Sequence, residues 1–264
     1  MQSIDAIKNL YDQHFSARKH AEAFYHVDCG FLDDGVIKQT EALFNIFSSG
    51  SIKGNTLLAF KNGPTIHELL PACELFKEIT VSTVTDDNAS ELKKWVGNEP
   101  GAIDWSFPVK ILCEHEGNGE KWMEKQETLR RAIKKILRSD LTNSNPLAPI
   151  TLPLVDCLLS MHYLGCFYLE KNSYLCGLQN ITSLLKTGGY LILVEALECT
   201  YFIVDTCRFP HICIDAEYVG EALSKAGYVI VKQVKIPRID QELFETTDFT
   251  AVLITVARKE QHLH

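Results

Sequence analysis

Two stretches of this chain concentrate side chains able to do chemistry. In KGNTLLAFKNGPT, residues 53–65, an apolar run of Leu57, Leu58, Ala59 and Phe60 enters a turn that carries Lys61, Asn62, Gly63 and Thr65. A glycine in a strand-to-helix turn lets backbone touch a ligand that any Cβ would push away. In VEALECTYF, Glu195 and Glu198 follow a second apolar run. Carboxylates at the carboxyl end of a parallel strand lie where open α/β sheets bind ligands; the alternative is a pair of solvated strand-end charges, and the residues alone leave both open. The nine cysteines are scattered, odd in number and lack a CxxC pair, so no zinc site is expected and most read as small buried hydrophobes, as Cys157 does in LPLVDCLLS. Cys199, Cys207 and Cys213 stand out only by their closeness in sequence.

These residues need elements to hold them. A helical arm is expected over 4–15 and 18–25, followed by strands at 57–60, 79–84, 109–113, 155–160 and 190–196 with helices between them. After Trp122, Leu129, Ile133, Ile136 and Leu137 fall on one helical face and Arg130, Arg131, Lys134 and Lys135 on the others. A helix over 215–226 stops at Gly227, and 228–234 and 250–256 read as closing strands around a polar loop at 237–248. Pro71 should kink the first helix or confine it to one side of Leu70. Alternating strands and helices imply an α/β protein with a mostly parallel sheet covered on both faces.

With 264 residues, 46% of them hydrophobic, the chain can bury one large core. A single domain over 1–264 is expected, with a helical arm or lid at 1–30 and a core at 50–258. The formal charge of −8 argues against nucleic-acid and anionic-membrane partners and leaves a small molecule or a protein. No signal-like or membrane-spanning apolar window is present, so a cytoplasmic protein is expected. Oligomeric state is left open.

The segments KGNTLLAF, NGPTIHELLPACELFKEI, ELKKWVGNEPGAIDW, LPLVDCLLS, SLLKTGGYLILVEAL and ITVARK together resemble the small-molecule N-methyltransferases for nicotinamide, indolethylamines and phenylethanolamine, over about residues 11–259. The resemblance implies a Rossmann-like class I methyltransferase fold: seven strands, mostly parallel, with an antiparallel C-terminal edge. It implies S-adenosylmethionine as the cofactor, held at Tyr25, Lys61, Gly63, Thr65, Thr83, Asn88, Asp140 and Leu141. It places Glu195 where the nicotinamide enzyme has a substrate-binding aspartate, and Glu198 where the phenylethanolamine enzyme has a glutamate near its substrate amine. These two are the candidate catalytic residues, with His20, Phe202 and His211 lining the substrate side.

Against that pattern the turn departs. Where the family reads Asp-x-Gly-x-Gly this chain has Ala59, Phe60, Lys61, Asn62 and Gly63; the ribose-binding acid is Thr83, the tyrosine of PTIYQ is His67, and the first lid tyrosine is His20. A hydrogen bond to a charged group is worth about 1.5–3 kcal/mol, so the Thr83 exchange alone costs roughly 10–150-fold in affinity. A relative that has lost S-adenosylmethionine-dependent catalysis and acts as a binding or structural protein is expected. The alternative is an active N-methyltransferase of a small amine or heteroaromatic substrate with a modified cofactor site. Lys61 separates the two: after decay of the site it fills the former cofactor cavity or snorkels to solvent, whereas after recruitment it points at a bound anion near Thr65 and His67.

Overall fold

The computed structural model describes residues 3–25, 36–239 and 245–260. Seven strands form one sheet: β1 (Thr56–Lys61), β2 (Glu78–Thr83), β3 (Ile133–Arg138), β4 (Val155–Met161), β5 (Leu185–Leu197), β8 (Tyr228–Pro237) and β9 (Ala251–Lys259), in the order β3-β2-β1-β4-β5-β9-β8. Pairings from β3 through β5 are parallel, and β9 runs antiparallel to both β5 and β8. The central strands are buried along nearly their whole length, as TLLAFK and VDCLLSM require when helices cover both faces. The order in which strands are added turns around between β1 and β4, and open α/β sheets bind ligands in the crevice at the carboxyl ends of such a strand pair. There Lys61 pairs with Thr83 on one side and Met161 on the other.

The helices are α1 (Ile4–His14), α2 (Ala17–Tyr25), α3 (Ile37–Ser48), α4 (Asp86–Val96), α5 (Ser106–His115), α6 (Trp122–Ala132), α7 (Leu164–Phe167), α8 (Lys171–Thr182) and α9 (Ala216–Lys225). Caps fix several starts: Thr85 Oγ1 accepts the Asn88 amide at 3.2 Å, and Asp215 accepts that of Tyr218 at 2.8 Å. The arm α1–α2 is fastened across the crevice. Arg138 grips the Asp12 carboxylate at 2.6 and 2.8 Å and Asp86 at 2.6 Å, Lys8 reaches Asp140 at 3.2 Å, and the Ala17 amide donates to Asp87 at 2.7 Å. None of the described helices is long and apolar enough to cross a membrane.

Several expected elements change. The run 109–113 is not a strand but part of α5, with Val109, Leu112 and Cys113 on its buried face and Pro108 in its first turn, where no amide is needed. The expected helix through Leu137 ends at Ala132, and Ile133, Ile136 and Leu137 belong to edge strand β3; IKKIL fits both periods, and pairing with β2 decides. Pro71 sits inside a six-residue 3-10 helix, His67–Ala72, that continues past Leu70 and is buried throughout. Helix α3 and the hairpin of β6 (Tyr201–Val204) and β7 (Cys207–Pro210) are additions to the sequence-based scheme. Residues 26–30 of the expected arm and 240–244 of the polar loop lie outside the described residues.

Candidate functional site

The crevice floor is the end of β1. Lys61 is completely buried, and its ammonium forms an ion pair with the Glu68 carboxylate in the His67–Ala72 turn. The Thr65 hydroxyl donates to Glu68 Oε1 at 2.7 Å, and His67 Nδ1 lies 3.5 Å from Oε2. Burial pulls the Lys61 ammonium below its ordinary pKa, opposed by Glu68. Burial pushes Glu68 up, but Lys61 and His67 outweigh it and hold the carboxyl down at about 2. Of the places expected for Lys61, solvent is not the one it takes: it stays buried at the end of β1, among the residues that line the crevice, and the chain supplies its own carboxylate, at the position that reads Gln in PTIYQ.

Above this pair, Gly63 still offers bare backbone, but His20 occupies it. A Cβ built on Gly63 would sit 2.5 Å from His20 Cε1 and 2.7 Å from Nδ1. His20 is wedged among Phe15, Phe24 and Tyr25 at ring separations of 5.2, 5.2 and 5.6 Å, and Tyr25 leans on His67 at 5.2 Å and on Trp105 at 5.7 Å. Burial keeps the histidines uncharged at neutral pH: His20 is lowered to about 3, His67 and His162 to about 4, and His211 is lowered as well.

A cavity of about 90 Å³ runs from this floor toward β5 and β9. It brings together His20, Tyr25, Lys61, Gly63, Thr65, Phe202 and His211 of the sequence candidates. Phe24, Met161, His162, Cys166 and Phe249 complete much of its wall and were not singled out from sequence, and Cys199, noted there only for its closeness to Cys207 and Cys213, joins them.

The other candidates lie apart from it. Glu195 is fully buried behind the wall; Tyr174 donates to its Oε1 at 3.2 Å, and burial pushes its carboxyl up to about 8, so it carries a proton at neutral pH. Glu198 is exposed, in a left-handed conformation at φ 54°, and accepts from Thr250 at 2.5 Å. Asn88 is buried and donates through Nδ2 to the Asn62 carbonyl at 2.8 Å, while Thr83 is buried with no hydrogen-bond partner for its hydroxyl among the described residues. Asp140 accepts from Thr142 and pairs with Lys8, and both hold its carboxyl below the usual range. The Leu141 side chain is buried, and its carbonyl accepts from Tyr168 at 3.3 Å.

The sequence pattern of the NNMT/PNMT/TEMT family matches residues 4–260. The chain belongs to this family. It is 42% identical to nicotinamide N-methyltransferase of Sus scrofa over 232 residues, 87% of this chain and 88% of that one. It is 36% identical to indolethylamine N-methyltransferase of Oryctolagus cuniculus over 252 residues, 95% of each chain. Among solved structures, magnesium protoporphyrin IX methyltransferase of Synechocystis with bound S-adenosylmethionine superposes with a TM-score of 0.60, at 12% identity over 96% of this chain and 97% of that one. A Clostridium acetobutylicum S-adenosylmethionine-dependent methyltransferase gives 0.57, at 11% identity over 92% and 99%. The fold of this family member is therefore the class I methyltransferase fold, with its mostly parallel seven-stranded sheet and antiparallel C-terminal edge.

Several residues that the resemblance assigns to S-adenosylmethionine stand in contacts of their own: Lys61 is buried against Glu68, His20 packs on Gly63, and Thr83, in the position of the family's ribose-binding acid, is a buried neutral side chain.

Proposed function

We propose that this family member binds a small molecule on a methyltransferase fold whose methyl-donor half is closed, and that it does not catalyse methyl transfer. The observation that carries the reading is the filled glycine turn: Lys61 paired with Glu68, and His20 packed on Gly63. The side chains that would hold the adenosine half are engaged within the chain, Asn88 with Asn62 and Asp140 with Lys8. The cavity that remains faces the substrate side, with aromatic and neutral histidine walls suited to a small organic ligand. A net charge of −8 supports such a partner over nucleic acid or an anionic membrane.

Titration calorimetry with S-adenosylmethionine and S-adenosylhomocysteine tests the proposal. No saturable heat is expected, alongside no transfer of a labelled methyl group to nicotinamide, an indolethylamine or phenylethanolamine. A dissociation constant of about micromolar order for either nucleoside overturns it in favour of an active N-methyltransferase with a remodelled donor site.

A further inference from the structure

Lys61 is shielded from solvent, yet it forms part of the cavity wall. A primary amine in that position offers a chemistry that no other side chain lining this cavity does, which is condensation with a carbonyl group. We propose that Lys61 captures a small aromatic or aliphatic aldehyde as a protonated imine, with Glu68 as its fixed counter-ion.

The step balances without a co-reactant. The lysine nitrogen forms a bond to the carbonyl carbon, and the carbonyl oxygen leaves as water carrying two of the three ammonium protons. The third proton stays on the imine nitrogen, and nothing is oxidised or reduced. Ammonium and iminium carry the same single charge, so the Glu68 carboxylate is paired before and after and no isolated charge appears in the buried site. To attack, the nitrogen must briefly be neutral. The contacting Glu68 carboxylate takes the proton and returns it; burial favours that transfer by pulling the ammonium below its ordinary pKa, and the ion pair that holds the Glu68 carboxyl down opposes it. Thr65, donating to Glu68 Oε1 at 2.7 Å, holds the carboxylate in place meanwhile.

The walls select the aldehyde. Phe24, Met161, Phe202 and Phe249 present apolar surface, and the histidines are neutral. Glu68 already balances the Lys61 charge, so an anionic keto acid finds no unpaired cation here. Asn62 and His20 also line the cavity, and Asn62 Oδ1 and His20 Nδ1 have no hydrogen-bond partner among the described residues although both side chains are more than nine-tenths buried.

The inference rests on the reading that no methyl donor fills this space, which the calorimetry tests separately. The probe is benzaldehyde at equimolar concentration with sodium cyanoborohydride, followed by intact mass and peptide mapping. One benzyl group on the peptide containing Lys61 is expected, with pyruvate trapped about tenfold less. The Lys61→Arg protein, which keeps the charge opposite Glu68, should lose that single adduct. Benzyl groups spread over surface lysines with Lys61 unmodified, or equal trapping of pyruvate at Lys61, overturns the proposal. Should Lys61→Arg fail to fold, the wild-type peptide map decides alone. Absence of the adduct with no donor binding refutes this inference only, whereas tight donor binding refutes the reading beneath it.

Discussion

Replacing Lys61 by Met while leaving Glu68 in place strips a completely buried carboxylate of its counter-charge. The carboxyl then avoids its desolvation cost by taking a proton. From an ordinary value of 4.5, holding it protonated at pH 7 costs about 2.5 pH units at about 1.36 kcal/mol each, or about 3.4 kcal/mol. The reverse change, Glu68→Met, forces Lys61 to give up its proton from an ordinary 10.5, which costs about 4.8 kcal/mol by the same conversion. Both fall close to the loss of about 3–5 kcal/mol seen when one partner of a buried pair is removed, whereas apolar replacement of both partners is often neutral or stabilising. Urea unfolding of the two single variants and the double variant should therefore show two large losses and near wild-type stability together, a coupling of several kcal/mol. In thermal melts each single change should lower Tm by on the order of 10 °C. The loss in Lys61→Met should shrink toward acid pH, where the carboxyl takes its proton at little cost. Single variants within about 0.5 kcal/mol of wild type would refute the burial of this pair.

Restoring the family turn by Ala59→Asp, Lys61→Gly and Thr83→Asp should give an unstable protein with no donor binding, because it leaves Glu68 unpaired; adding Glu68→Gln should recover stability, and calorimetry of the two variants checks the difference. Glu195 has a folded pKa raised from 4.5 to about 8, so its contribution to stability is fully present below about 4.5 and is lost as pH rises through about 8. Glu195→Gln should remove this fall, read as a smaller difference in urea midpoint between about pH 5 and about pH 9 than in wild type; an unchanged difference would place the titration elsewhere.

Much of the sheet was legible because its strands are short, apolar and bounded by turn residues, as β1 and β4 are. The misread stretches were those in which one pattern serves two periods. IKKIL satisfies helical spacing, and only the neighbouring β2 makes it a strand; the apolar run 109–113 lies in α5, whose buried face it supplies. At the site, the loss of the glycine turn was visible at Lys61, but its consequence was not, because the carboxylate that answers it lies seven residues away in a segment otherwise read as a plain helix. A signal existed: Glu68 is a lone charge in the run from Ile66 to Cys73, and Lys61 ends an apolar strand. Two unexplained buried charges near one turn imply each other. His162 and Phe249 could not be found in this way, since their place in the cavity follows from the packing of β4 and β9 ends.

The fastening of the N-terminal arm bears on how tightly a ligand can be held. Asp140, which the resemblance puts in the adenine position, is engaged with Lys8, Arg138 ties α1 to the edge strand β3, and Asp87 ties the start of α2 to α4. These are partly exposed contacts, each worth about 0–1 kcal/mol, but they act together on one rigid helix pair. A binding site whose cover becomes ordered only around its ligand gives up part of the interaction energy to that ordering. Here the cover is fastened by the chain's own side chains, so the guest proposed for the cavity is expected to bear less of that entropic cost, and a small molecule with few contacts would be retained where a loosely held lid would let it go.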